Sequence, residues 1–233
     1  MKTVVIMQPY FFPYLGYFQL AAAASVFVTL DDVSFIKGGW INRNRFLVQN
    51  RAHMFTVPVK SASSNRLINA TQIAGDDIWK KSFIRLLNES YAHAPYYRET
   101  IALVNRVIHK AHASIGDLAD DSVRTTCAHI GLEKKWLKSR DTCLADSLKG
   151  TARILEICQS LGANRYVNAP GGKELYRHKQ FAQLGIELRF LKPFLPPYRQ
   201  QSGEFVGGLS IVDVLMYNPR DLVRNWIEGY ELE

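Results

Sequence analysis

An α/β fold built on a mostly parallel sheet is what this sequence predicts, and three observations predict it. Residues 3–7 (TVVIM), 18–24 (FQLAAAA) and 26–30 (VFVTL) read as strand, helix and strand, one βαβ unit. From Trp136 onward, short apolar runs alternate again with helical stretches. Between these regions the helical periodicity runs without an intervening strand. The expected organisation is an α/β core of residues 1–75 and 132–233, carrying a helical insertion or lid at 76–131.

Each element has its own signal. The first strand is β-branched and stops at Gln8-Pro9. The loop beyond it (QPYFFPYLGY, 8–17) holds two prolines and is too aromatic for a mere solvent connection. The second strand ends at Asp31-Asp32, followed by Phe35, Lys37, Gly38-Gly39-Trp40 and Ile41-Asn42-Arg43-Asn44-Arg45. Residues 46–48 and 53–59 predict a hairpin around 49–51, 60–65 a polar loop, and 68–73 another strand. Three helices follow at 78–91, 96–113 and 117–130, separated by Pro95 and Gly116, with Gly131 as the last cap. Residues 136–137 predict a short strand. Asp146 or Ser147 can cap a helix running to Leu161 and ending at Gly162. Then come a strand at 165–168, a glycine loop at 168–173, a helix at 174–184 and a strand at 186–191. A long proline- and glutamine-rich loop, 193–208, leads to a helix at 211–217 capped by Ser210, and Pro219 starts a terminal helical turn.

Composition bounds the function. A chain of 233 residues that is 47% hydrophobic can bury a full core, which argues against disorder. Twenty-nine basic against twenty-one acidic residues give a net charge of +8, suited to an anionic partner: a nucleotide, a nucleotide sugar, a phosphopantetheine carrier or RNA. The basic residues are spread out, apart from a small group at Lys134, Lys135, Lys138 and Arg140, which counts against a dedicated nucleic-acid module. No apolar run approaches the length of a membrane span and the start does not read as a signal peptide, so a soluble cytoplasmic protein is expected. Cys127, Cys143 and Cys158 are too widely spaced for a metal motif or a disulfide framework and read as reduced and mostly buried. His109 and His112 share one predicted helical face but lack a third ligand, so no metal site is assigned.

In βαβ units ligands sit beyond the carboxyl ends of the strands. The site is therefore expected between residues 8–16 and 31–45. Asp31 or Asp32 would bind Mg²⁺, hold an ammonium group or act as a base. Lys37 and Arg43 would neutralise phosphate or carboxylate charge beside Asn42. Asn168, Gly171, Gly172 and Lys173 form a second turn that can cradle an anion on backbone N–H groups, although its spacing is not that of a P-loop. Lys149 and Arg153 lie a helical turn apart on one face.

The stretches QPYFFPYLGYFQL and DDVSFIKGGWINRNR closely resemble the WbqC-like family. The match continues through SYAHAPYY (90–97), the helix from Lys149 to Leu161, RYVNAPGGKELY (165–176) and GLSIVDVL (208–215), so it covers nearly the whole chain. That resemblance implies an association with surface-polysaccharide gene clusters, some of which make amino sugars carrying acyl or aminoacyl groups. The placement of Pro13, Gly16 and Tyr17 between a strand and a helix also looks like the signature loop of the nucleotidyltransferase superfamily, where a histidine-glycine-histidine loop holds the phosphates of ATP. It implies a Rossmann-like sheet and substrate contacts from Gln8, Tyr10, Gly16 and Tyr17. Here the histidines are absent, and Tyr17 stands where the second would be. The expected activity is a transferase forming an amide bond on a nucleotide-linked amino sugar, using ATP and Mg²⁺ or a pre-activated acyl donor. A nucleotidyltransferase or ligase acting on another small metabolite, and a non-catalytic module binding tRNA or a carrier protein, are the alternatives.

Overall fold

The computed structural model describes every residue except Asp76, Ser202 and residues 143–147. Its central sheet uses six strands: β1 (Thr3–Met7), β2 (Val26–Thr29), β5 (Lys135–Lys138), β6 (Arg165–Asn168), β7 (Glu187–Lys192) and β8 (Glu231–Leu232). They lie in the order β5-β2-β1-β6-β7-β8, parallel except for β8. The order reverses between β1 and β6, so Gln8 and Asn168 flank the topological switch point. A separate antiparallel hairpin pairs β3 (Arg43–Val48) with β4 (Arg51–Thr56).

Both faces of the sheet are covered, as a parallel sheet requires. Val4, Ile6, Val26, Val28 and Tyr166 point to a layer containing Ile154 and Ile157 of α5 (Gly150–Ser160) and Phe181 of α6 (His178–Ala182). Val5, Phe27 and Val167 point the other way. They meet α1 (Leu15–Ala23), α7 (Ile211–Tyr217) and α8 (Arg220–Glu228). The helices α2 (Ile78–Tyr91), α3 (Tyr97–Ile108) and α4 (Ile115–His129) send Phe83, Leu87, Val104, Val107 and Leu118 into that same buried cluster. Ser114 caps α4 by accepting from Asp117 N, and Ser210 caps α7 by accepting from Val212 N.

Several local expectations are corrected. Residues 68–73 do not form a strand: Ile68–Ala70 is a 3₁₀ turn, and Ile73 makes an isolated bridge to Val59. The helix expected at 174–184 shrinks to His178–Ala182, behind a 3₁₀ turn at Pro170–Gly172. The hairpin turns at Gln49-Asn50, both in left-handed backbone (φ 48° and 60°), as a two-residue type I′ turn needs, and Arg51 belongs to β4. His109 caps α3 and His112 lies beyond it, bound to Asp121, so the two do not share a helical face. Cys127 and Cys158 are buried thiols; Cys143 and the expected caps Asp146 and Ser147 fall outside the described residues.

The largest correction concerns residues 42–45, read above as loop. Asn42 directly precedes β3 and residues 43–45 open it, so the alternation Asn-Arg-Asn-Arg is strand periodicity. Asn42 and Asn44 are buried on one face, while Arg43 and Arg45 emerge on the other. Asn42 Nδ2 donates to Val57 O (2.8 Å). Asn44 Nδ2 donates to Phe11 O (3.0 Å) and Phe12 O (2.6 Å). Phe12 is fully buried with φ 40°, a strained position for a bulky residue. Its N–H donates to Ser122 Oγ (2.9 Å), and its carbonyl also accepts from Ser210 Oγ (2.7 Å). Asn44→Ala leaves two buried carbonyls short of a donor. It should destabilise the fold by about 1–3 kcal/mol in urea unfolding; an unchanged midpoint would show that the 8–14 loop holds its shape without Asn44.

Candidate active site

A cleft of about 690 Å³ lies at the carboxyl edge of β1 and β2, within the range of small-molecule sites. Gln8 and Asp32 form its base where the two strands end. Val33, Ser34 and Ile36 make one wall with Leu67. That wall is fixed because Ile68 N donates to Val33 O (2.9 Å) and Phe35 N to Arg66 O (2.8 Å). The opposite wall is the start of α5, with Leu148, Lys149, Gly150 and Arg153. The Lys149 side chain makes no capping bond at the start of α5 and is exposed beside the cleft. Positive charge and the helix dipole converge there, a combination that suits an anion.

Arg153 Nη2 forms a short ion pair with Asp32 Oδ2, and Ser139 Oγ donates to Asp32 Oδ1 (2.5 Å). Arg153 is buried, and its Nε has no hydrogen-bond partner among the described residues. Behind this pair lies Asp31, 1% exposed, with neither carboxylate oxygen hydrogen-bonded among the described residues. Arg140 Nε stands 3.4 Å from Asp31 Oδ2, and Arg140 Nη2 reaches Asp117 Oδ1 (3.0 Å). Lys138 Nζ donates to the same Asp117 oxygen at 2.6 Å and lies 3.8 Å from Asp120, which pairs with Arg124 (2.9 Å). Carboxylates and cations thus alternate from the cleft inward, along the carboxyl ends of β2 and β5 and the flank of α4. Burial pushes the Asp31 carboxyl up. Arg140 and Lys138 pull it back and Asp32 and Asp117 add to the rise, leaving it at about 6.

The residues singled out in the sequence divide into groups. Gln8 and Asp32 meet in the cleft, with Asp31 directly behind. Tyr17 is buried at the sheet end, where its hydroxyl donates to Gln8 O (2.8 Å) and burial raises its pKa well above the ordinary phenol value. Gly16 is buried inside α1, and an added Cβ would come within 2.5 Å of the Tyr14 ring. Its smallness leaves room for the Tyr14 ring. Tyr10 stacks beside Tyr17 (5.5 Å between ring centroids) and faces a second, aromatic pocket. Asn42 is a buried strut just before β3, holding Val57 O. Arg43 folds back onto Gly38 O and Gly39 O (3.0 Å to the latter), closing the 36–40 turn. Lys37 is exposed on that turn. Asn168 donates to Tyr166 Oη (2.7 Å) and accepts from Ala169 N (2.6 Å), and its side chain packs against Gly172. Gly171 is exposed and Lys173 pairs with Glu233, away from the cleft. Arg140, Lys138 and Ser139 had no signal as site residues beyond their charge or small size; only the parallel pairing of β5 with β2 brings them to Asp31.

No three His, Cys, Asp or Glu side chains converge as a metal cage among the described residues. Both Asp32 oxygens are already engaged, and Asp31 is sealed from solvent. A magnesium ion would have to arrive with its phosphates and take few protein ligands, which is its common mode.

The Asp31 environment sets a pH signature. Its carboxyl sits near 6 in the fold against 3.8 as an ordinary aspartate, so between those values the folded chain holds more proton than the unfolded one. This contribution favours the fold at low pH and declines as pH rises through 4 to 6. Above pH 7 the ionised Asp31 costs on the order of 2–3 kcal/mol. Asp31→Asn should therefore raise stability at pH 8 by about 1–2 kcal/mol, with the gain fading near pH 4. Unfolding curves at both pH values check it; destabilisation at pH 8 would mean that the Arg140 pairing outweighs the desolvation.

Comparison with known proteins agrees with the extent of these motifs. No solved structure matches the chain. Over 218 residues it is 29% identical to the "Uncharacterized protein Rv1507c" of Mycobacterium tuberculosis, covering 92% of this chain and 93% of that one. The model of the WbqC-like protein family matches residues 8–225, from the cleft glutamine to the last helix, and the chain belongs to that family.

Proposed function

We propose that this protein is a transferase that forms an amide bond, acyl or aminoacyl, on a nucleotide-linked amino sugar used in surface-polysaccharide assembly. The observation that carries the reading is the Arg153–Asp32 pair opening into the cleft beside the start of α5. Arg153 and Lys149 bring positive charge to the cleft, fit for a diphosphate. Next to them Asp32, oriented by Ser139 and Arg153, keeps further lone pairs on its oxygens that can accept from an amino group. A ligand that is anionic at one end and carries an amine at the other matches both. The net charge of +8 favours its approach.

In this reading Lys149, Arg153 and the α5 N–H groups fix the phosphates. Asp32 holds the amine facing the acyl carbon, and Gln8 supplies an amide for the sugar hydroxyls. The apolar wall of Val33, Ile36 and Leu67 offers a non-polar surface for the sugar ring and the acyl chain to lie against. The amine adds to the acyl carbon, gives its proton to Asp32 and expels the activating group as AMP or as the carrier's thiol or hydroxyl. The acyl group arrives either as an adenylate made from ATP with Mg²⁺ or already activated on a carrier.

Two variants test this. Arg153→Gln should weaken binding of a uridine diphosphate amino sugar about ten- to a hundredfold by calorimetry, because a buried charge-assisted contact is lost. Asp32→Asn should keep most of that affinity but lower amide formation, followed by mass spectrometry, by at least about tenfold. Equal binding by wild type and Arg153→Gln would remove the nucleotide from this cleft. A product that forms only with ATP and Mg²⁺ present would select the adenylate route.

A further inference from the structure

A second pocket, about 250 Å³, opens on the other side of the same two loops. Its walls are Tyr10, Pro13, Tyr14, Trp40 and Leu195, and Arg45 stands among them. Trp40 and Leu195 are exposed, at 38% and 44%. Arg45 is held in place from several directions. Its backbone N–H donates to Asn44 Oδ1 (2.8 Å), its carbonyl accepts from Ser210 N (2.9 Å), and Nη2 donates to Gly208 O (2.9 Å). Its guanidinium carbon lies 5.7 Å from the centre of the Trp40 ring. Among the described residues no carboxylate pairs with it, and Gly208 O is the one acceptor its side chain reaches. A guanidinium carries five N–H donors, and Arg45 gives one to Gly208 O while its buried Nε has no partner among the described residues, so an oriented cation with donors left for a ligand stands in a mostly apolar pocket.

We propose that this pocket binds a small carboxylic acid with an apolar body. The carboxylate would pair with Arg45, and the body would lie between Tyr10, Tyr14 and Trp40. The volume falls just below the usual range of about 300–1,000 Å³ for ligand sites. That is room for one ring or a branched chain and too little for a nucleotide. The scarcity of polar walls disfavours a neutral sugar, whose hydroxyls would lose water without enough partners. The rigid aromatic walls explain the glycine in α1. With a methyl group at position 16 the Tyr14 ring would have to leave, since the new Cβ would meet its Cε2 at 2.5 Å and its Oη at 2.8 Å.

The two cavities are neighbours through their loops. Gln8 lines the first and Tyr10 the second, so their Cα atoms are at most ~7 Å apart. Asp32, Val33, Ser34 and Ile36 line the first, and Trp40, Asn44 and Arg45 the second. An acid bound at Arg45 would thus lie one loop away from the nucleotide cleft. Its role as the acyl source rests on the transferase reading; the binding itself does not.

The experiment measures benzoate and benzamide binding by ligand-observed NMR on wild type, Arg45→Gln, Trp40→Ala, Gly16→Ala and Arg153→Gln. Benzoate should bind wild type and Arg153→Gln equally. It should bind Arg45→Gln about ten- to a hundredfold more weakly, and Trp40→Ala and Gly16→Ala at least about threefold more weakly. Benzamide should bind wild type about tenfold or more below benzoate. Trp40 is exposed, so its variant keeps the test valid if Arg45→Gln unfolds. Equal binding of benzoate and benzamide, no binding to wild type, or loss of benzoate only in Arg153→Gln would overturn the proposal. Success here with failure of nucleotide-sugar binding in the first cleft would leave an acid-binding protein that is not the proposed transferase.

Discussion

The strained turn at Phe12 is the constraint on which the rest of this structure depends. A buried phenylalanine in left-handed backbone costs on the order of 1–3 kcal/mol and persists only where its surroundings over-determine it. Here they do. Ser122 comes from α4, Asn44 from β3 and Ser210 from the cap of α7, and all bind the Phe12 backbone. Ile211 N adds a bond to Pro13 O (2.8 Å) and Phe11 N one to Trp40 O (3.1 Å). Segments far apart in sequence are thereby locked to a single loop. That loop must leave β1 with Gln8 on one side and Tyr10 on the other, which is how one short stretch lines two cavities.

A different economy governs the charged ladder behind the cleft. Exposed ion pairs contribute little, and those at Lys173, Lys192 and Arg220 belong to that kind. The pairs from Arg153 to Arg124 are partly or wholly buried and share partners, so removing one member strands its neighbour. Asp213 makes a contrasting case within the same protein. It is fully buried without a cation, yet Tyr91, Tyr198 and Gln200 all donate to it. Burial still raises its carboxyl pKa, but its oxygens are satisfied and it tethers the 193–208 loop to α2. A carboxylate left without such donors, as Asp31 is, marks a place where stability has been sacrificed to something else.

The parallel sheet was legible because its strands are short β-branched runs separated by helical periods, a local signal that survives in one sequence. The three middle helices were legible for the same reason. Their place was not: Ser122 and Asp120 reach the ends of β1 and β2 only through tertiary packing, with Thr29 Oγ1 donating to Asp120 at 2.5 Å. The terminal pairing of β8 was missed because two residues carry no periodicity. In the site, Gln8 and Asp32 could be found because strand ends are predictable positions. Arg43 and Asn42 were misjudged for a specific reason. Polar residues in alternation look like a loop unless the buried partners, Val57 O and the 11–12 carbonyls, are known. Arg153 was visible only as half of a helical pair with Lys149; that it is the buried half followed from which face of α5 meets the sheet.

The Asn-Arg-Asn-Arg stretch also limits how this family can change length. Asn42 holds Val57 O and Asn44 the Phe12 turn, while Arg43 and Arg45 lie on the opposite face, so the four residues form a block whose phase is fixed at both ends. One inserted or deleted residue within it would exchange the two faces, turning guanidinium groups into the core and amides into the solvent. In the turn before it the exposed Ile36 and Lys37 side chains carry no such phase. Insertions accumulating over evolutionary time should therefore collect in that turn and leave the block intact.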